Sequence, residues 1–207
     1  MKVITLLIFN IISTTYGWNP QFYPYDPRIH NMGNDNTFFS IHSKLAPIFT
    51  KYTDATVYGR NLREEIINNE GEKKTILDVG CGTGFSTSLN EGSLGLDTSN
   101  EMITMARSLF PEKMFEQGHI EHWIPDKKYD IVTMFDVLEH LPNPSKEINK
   151  VKKILKKKGL VYVYVPNWES ATRMLLGEKD SHFIWPTHHL TYFSPKTLMD
   201  FFSKRGF

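Results

Sequence analysis

From residue 75 onward the chain alternates two periods, short apolar runs and longer stretches with one apolar face. Residues 75–79 (TILDV) are apolar and rich in β-branched side chains, the composition of a strand buried on both faces. Residues 94–97, 113–117, 129–135 (YDIVTMF) and 160–165 (LVYVYV) read the same way. Between them lie helical patterns. A brief polar helix is expected over 86–91, and Thr98 with Glu101 reads as a capping box opening a second. In that second helix Met102, Ile103, Ala106 and Leu109 share a face. Residues 145–158 place Ile148, Val151, Ile154 and Leu155 inward and seven lysines mostly outward, with Gly159 as the stop. A last helix over 195–205 buries Leu198, Phe201 and Phe202. Five strands alternating with helices predict an α/β fold with a doubly wound, mostly parallel sheet.

Upstream the pattern changes. Residues 1–17 have one early lysine, an apolar stretch over 3–12 and a small polar end, which reads as a targeting segment. The alternative is an N-terminal strand or helix packed on the domain. The stretch is too short to span a bilayer as a helix, so no stable membrane span is expected. Secretory or organellar sorting follows from the first reading and a cytoplasmic location from the second. Residues 18–70 form a lead-in, irregular around Pro20, Pro24 and Pro27 and helical over 38–69. Residues 71–207 hold the βα units.

Charge alters the picture little. Twenty-four basic against 23 acidic residues leave a net charge of +1, so nucleic acid is not an expected partner and the lysine-rich helix reads as a solvated face. The one cysteine, Cys81, excludes an internal disulfide and a cysteine-based metal site. No group of ligands has metal-site spacing along the chain, so no metal is implied.

The candidate chemistry begins where the first strand breaks into Gly80, Gly82 and Gly84. Glycine permits positive φ and removes Cβ, so a ligand can lie against the main chain. Amides at the start of the next helix add donors. The G-x-G-x-G spacing, with Asp78 in the strand end, departs from the dinucleotide fingerprint G-x-G-x-x-G. The stretch 75–84, TILDVGCGTG, resembles the first motif of class I methyltransferases that use S-adenosylmethionine. That resemblance implies a Rossmann-like sheet and S-adenosyl-L-methionine as methyl donor. It also implies a donor-binding set of Asp78, Gly80, Cys81, Gly82, Gly84, Asp97, Thr98, His119, Ile120 and Phe135. Within it, Asp78 orders the amino-acid end and Asp97, at a strand tip, accepts hydrogen bonds from a ribose diol. His119, Ile120 and Phe135 flank the adenine. Tyr58 or Arg60 in the lead-in could reach the donor's carboxylate, the alternative for each being a solvated or packing role.

The stretch 136–142, DVLEHLP, resembles the segment that follows the fourth strand in small-molecule methyltransferases. His140, beside Glu139, is either a general base for a hydroxyl nucleophile or a residue that orients the loop. The stretch 187–195, THHLTYFSP, is similar to the acceptor-side insert of ubiquinone-type O-methyltransferases. His188 and His189 there are general-base candidates or lid anchors. The implied activity is methyl transfer to a small-molecule acceptor, at oxygen. The alternative is a non-catalytic or partner-completed methyltransferase-fold module that binds the adenosyl ligand. In the same family two antiparallel strands normally finish the sheet, and both are lacking here. Either the chain is a fragment or truncated gene product, or the open edge of the fifth strand is expected to be covered by a protein partner.

Overall fold

The structure is a computed structural model and describes residues 3–9, 67, 74–176 and 188–207. Its strands are β1 (Val3–Phe9), β2 (Ile76–Val79), β3 (Ser93–Asp97), β4 (Met114–Gln117), β5 (Tyr129–Phe135) and β6 (Leu155–Pro166). The helices are α1 (Phe85–Ser88), α2 (Asn100–Leu109), α3 (Pro144–Ile154), α4 (Ala171–Leu176) and α5 (Pro195–Ser203), with a 3-10 turn over Leu138–His140. The strands form one six-stranded sheet in the order β1-β6-β5-β2-β3-β4. Every neighbouring pair is parallel. The carboxyl ends of β2, β3 and β5 therefore meet at one edge, where the chain leaves β2 into the glycine loop.

Pleating explains the apolar runs. Leu77, Val79, Leu94, Leu96, Val132, Met134, Val161, Val163 and Val165 project to one face, under Ile148, Val151 and Ile154 of α3 and Leu198 and Phe202 of α5. The alternate residues Ile76, Ile131, Phe135 and Tyr162 make a second cluster with Ile67 on the opposite face. A third cluster joins Ile103 and Ala106 of α2 to Cys81 and Phe115. Helices thus pack on both faces, which is why central strands carry no polar alternation. Leu77, Val132, Ile148 and Leu198 are each fully buried, and removing such a side chain costs on the order of 2–5 kcal/mol.

Helix ends differ from the expectation: α1 stops at Ser88 instead of 91 and α5 at Ser203 instead of 205, and α2 and α3 differ for reasons visible in the structure. α2 is capped by Ser99, not Thr98. The Ser99 hydroxyl accepts from the Met102 amide at 3.2 Å and donates to Glu101, while the Ser99 amide donates to Asp97. The Asp97 carboxylate holds residue 99 outside the helix and so moves the cap one residue on. α3 begins after the Asn143 cap with Pro144 in its first turn, and ends at Ile154 instead of 158. Lysines 156–158 belong to β6, where pairing with β5 is irregular between Tyr129 and Ile131, and Lys156 reaches Asp130 at 2.7 Å. α5 has a full capping box between Ser194 and Thr197. After it Gly206 turns at φ 73° and Phe207 packs edge-on against Phe202.

The expectation of an open edge on the fifth unit's strand is overturned. Val3–Phe9 pairs with it from Val3↔Leu160 to Phe9↔Pro166. These residues lie inside the segment read as a targeting signal, and here they form a strand, as the alternative reading had it. No antiparallel strand occurs among the described residues. Residues 10–66, including Tyr58 and Arg60, and the aromatic stretch 177–187 lie outside them.

Candidate functional site

The glycine loop hooks onto the end of β3. The amides of Gly80 and Cys81 both donate to the Leu96 carbonyl, at 2.7 and 3.2 Å. Gly80, Gly82 and Gly84 all have positive φ, the left-handed region that penalises a side chain. Their surroundings separate their roles. A Cβ on Gly80 would sit 2.4 Å from Val137 Cγ2, and one on Gly84 would sit 2.6 Å from Phe115, so both are packing positions. A Cβ on Gly82 would meet nothing within 4 Å. Bare main chain facing open space at a sheet's carboxyl edge is the geometry that lets a ligand approach the backbone.

Asp97, at the tip of β3, is joined to that loop. Its Oδ2 accepts from the Gly82 amide and its Oδ1 from the Ser99 amide, each at 2.9 Å. Burial pushes its carboxyl upward, opposed by the amides of Ser99, Gly82 and Thr98. Backbone amides occupy two to three of its roughly four lone-pair directions, so the carboxylate retains some acceptor capacity. Thr98 beside it is exposed, and its carbonyl receives Gln117.

The remaining donor-side candidates fall deeper. Asp78 is 2 % exposed and accepts from Thr133 on β5 at 2.7 Å and from Thr87 on α1 at 2.8 Å. It ties the loop's base together from below. The Cys81 thiol is packed against Ile103, Ala106 and Phe115. Burial, then the charges of Asp78 and Asp97, push it well above the ordinary thiol range, so it is no nucleophile. Ile120 is in the α3-side core and Phe135 in the opposite cluster. Sequence reasoning missed Asp136, an exposed residue at φ 55° directly after β5. Backbone held in that region by a non-glycine residue concentrates at functional sites, and aspartate is among the types that tolerate it.

His119 turns toward α3. Its Nε2 lies 3.6 Å from Glu147 Oε1, in a cleft of about 410 Å³ that Glu121, His122, Pro142 and Asn143 also line. Burial pushes Glu147 up to about 7, with Glu121 adding to it, while burial and His122 lower His119. Both shifts favour neutral forms. The approach is therefore not a strong ion pair.

On the acceptor side the structure brings distant residues together. His140 Nδ1 donates to the His188 carbonyl at 2.7 Å, and the rings of His140 and His189 meet edge to face at 4.9 Å. The amides of Leu190 and Thr191 donate to the Glu139 carbonyl at 2.8 and 3.1 Å. The 139–140 turn and the 188–191 strap are thus one unit. Glu139 is 2 % exposed and neither side-chain oxygen accepts a hydrogen bond. Burial, then the Asp136 charge, push its carboxyl well up. The spacing of these residues along the chain implies no metal, yet in space Glu139, His140 and His189 place ligand atoms within 4.8 Å of one another.

A sequence model of the methyltransferase domain matches residues 53–207. The chain is 33 % identical over 110 residues to a trans-aconitate 2-methyltransferase of Escherichia coli, covering 50 % of this chain and 44 % of that protein. It is also 33 % identical over 120 residues to a ubiquinone biosynthesis O-methyltransferase of Glaesserella parasuis, covering 50 % of each. The chain spans about half the length of the curated relatives it matches. Among solved structures, a SAM-dependent methyltransferase from Thermotoga maritima superposes with a TM-score of 0.68 at 19 % identity, over 82 % of this chain and 80 % of that one. Such a likeness speaks for the Rossmann-like fold alone. With the glycine loop, the acid one strand over and three quarters of the residues inside one family match, the chain belongs to the methyltransferase domain family.

Proposed function

We propose that the chain is an S-adenosylmethionine-dependent methyltransferase acting on a small-molecule acceptor at oxygen. The single observation that carries the reading is the junction of Gly82 and Asp97. There, main chain open to solvent and a carboxylate with spare acceptor capacity sit side by side at the carboxyl edge of a parallel sheet. The donor supplies an electrophilic methyl group when bound. The chain's share is to hold the ribose at Asp97, leave room over Gly82 and align a nucleophile, because positioning carries much of the rate in such a transfer. His140 and His189 stand on the acceptor side and are the candidates to take a proton from a hydroxyl or acid, with His188 contributing its carbonyl to the alignment of His140. The oxygen assignment is supported by the relative named for O-methylation.

The test is transfer of a labelled methyl group from S-adenosylmethionine to a panel of phenols, carboxylic acids and amines. Label appearing in ester or ether products supports the reading. Label confined to amines contradicts the oxygen assignment, and donor binding without transfer to any acceptor favours the binding-module alternative.

A further inference from the structure

We propose that Glu139, His140 and His189 form a binding site for one divalent first-row metal ion. Two imidazoles and one carboxylate place their ligand atoms within 4.8 Å of one another. Glu139 and His189 are buried, 2 % and 8 % exposed. A carboxyl group that far from water ordinarily has hydrogen-bond partners. Neither Glu139 oxygen has a partner of hydrogen-bond geometry, and His140 Nε2 lies 3.9 Å from Oε1. A cation between them removes that deficit.

The surroundings are built for ligation. His140 donates through Nδ1 to the His188 carbonyl at 2.7 Å, which fixes the tautomer and puts the lone pair on Nε2, 3.9 Å from Glu139 Oε1. A backbone carbonyl on the far ring nitrogen is the usual support of a metal-bound histidine. The two hydrogen bonds from Leu190 and Thr191 to the Glu139 carbonyl hold the segment bearing His189 against the turn bearing the other two groups. Metal–ligand bonds of about 2.1 Å in tetrahedral arrangement separate ligand atoms by about 3.4 Å, so side-chain rotation of about 1 Å closes the cluster. Three protein ligands leave a coordination position for a small molecule. An imidazole-rich set prefers zinc, copper, iron or nickel to magnesium or calcium.

The consequence for chemistry rests on the function proposed above: with the imidazoles engaged as ligands, the ion takes over from the histidines, making an acceptor hydroxyl bound at the open position more acidic or holding an acceptor carboxylate in place. Metal binding itself stands apart from that reading, and the test keeps the two separate. Tag-free, chelator-stripped protein is titrated with Co²⁺ and followed by its visible ligand-field absorption, with Zn²⁺ as competitor. The expected result is one saturable equivalent, weakened at least about tenfold in both Glu139→Gln and His189→Ala. In wild-type protein, Mn²⁺ should broaden the NMR signals of His140, His189 and Leu190 first, an observation that requires no variant to fold. Affinity for S-adenosylhomocysteine, measured on the same samples, reports donor binding independently. Absence of saturable binding at about 1 mM Co²⁺ overturns the proposal. Binding that survives both substitutions, or broadening centred on His119 and His122, overturns it equally and moves the metal to the other histidine cluster.

Discussion

Gly80 and Gly82 share the same backbone conformation and face opposite surroundings, so alanine at each gives a different result. Gly82→Ala has room for its Cβ. Only the left-handed φ of 54° is penalised, at about 1–2 kcal/mol. The methyl group would project into the space assigned to the donor, so affinity for S-adenosylhomocysteine should fall by more than about tenfold while Tm drops modestly. Gly80→Ala meets Val137 Cγ2 at 2.4 Å. It should lower stability by about 2–3 kcal/mol, read by chemical denaturation, with affinity following only through the damaged fold. Asp97→Asn exchanges one of two oxygens that accept backbone amides for a donor. Loss of a charge-assisted bond and of the ribose acceptor should weaken donor binding by roughly a hundredfold, about 3 kcal/mol, measured by calorimetry.

Between elements, buried polar groups decide what holds the loop and α3 in place. Asp78 bridges β5 and α1 through two threonine hydroxyls. Thr133→Val removes one donor and should cost about 1–3 kcal/mol in unfolding free energy. Glu147 provides a pH test. Its folded-state value of about 7 lies above its ordinary 4.5, so the native state holds a proton that the unfolded chain releases. Stability is therefore fully present below about 4.5, falls as pH rises to about 7 and is flat beyond. Glu147→Gln cannot ionise. Its unfolding free energy should match that of wild type near pH 4.5 and exceed it at pH 8 by about 2 kcal/mol. A variant that gains nothing at pH 8 contradicts the assignment.

The same elements show what the sequence revealed and what it withheld. The strand, glycine turn and Asp97 were legible because strand composition and glycine spacing are local signals. The cap of α2 was misplaced by one residue because the Asp97–Ser99 hydrogen bond depends on how the strand tip sits against the loop. The end of α3 was set too late because lysines 156–158 suit an exposed strand edge as well as a helix. The cluster of Glu139, His140 and His189 was illegible for a different reason. Its members are joined by backbone hydrogen bonds across some fifty positions, and no local period reports such a pairing.

For the whole molecule, the sheet sets where chemistry happens, and six parallel strands place the tips of β2, β3 and β5 at one edge. No helix among the described residues is long and apolar enough to cross a membrane. Pairing of Val3–Phe9 with β6 gives the first residues a structural role, and an uncovered strand edge invites association. Deleting residues 1–9 should therefore lower Tm and raise aggregation by light scattering. A chain unaffected by the deletion would instead suit these residues to the sorting role, which fusion of residues 1–25 to a reporter tests directly. Both outcomes leave the donor site untouched, since the loop and Asp97 lie on the other side of β5.

The central claim is that the loop around Gly82 and the carboxylate of Asp97 bind an adenosyl sulfonium. Calorimetric titration of the purified chain with S-adenosylmethionine tests it most directly. One site with a Kd in the micromolar range, on the order of −7 to −8 kcal/mol, is predicted, with the heat abolished in Asp97→Ala protein that still unfolds cooperatively. No saturable heat at millimolar ligand, or equal affinity in the variant, would contradict the account.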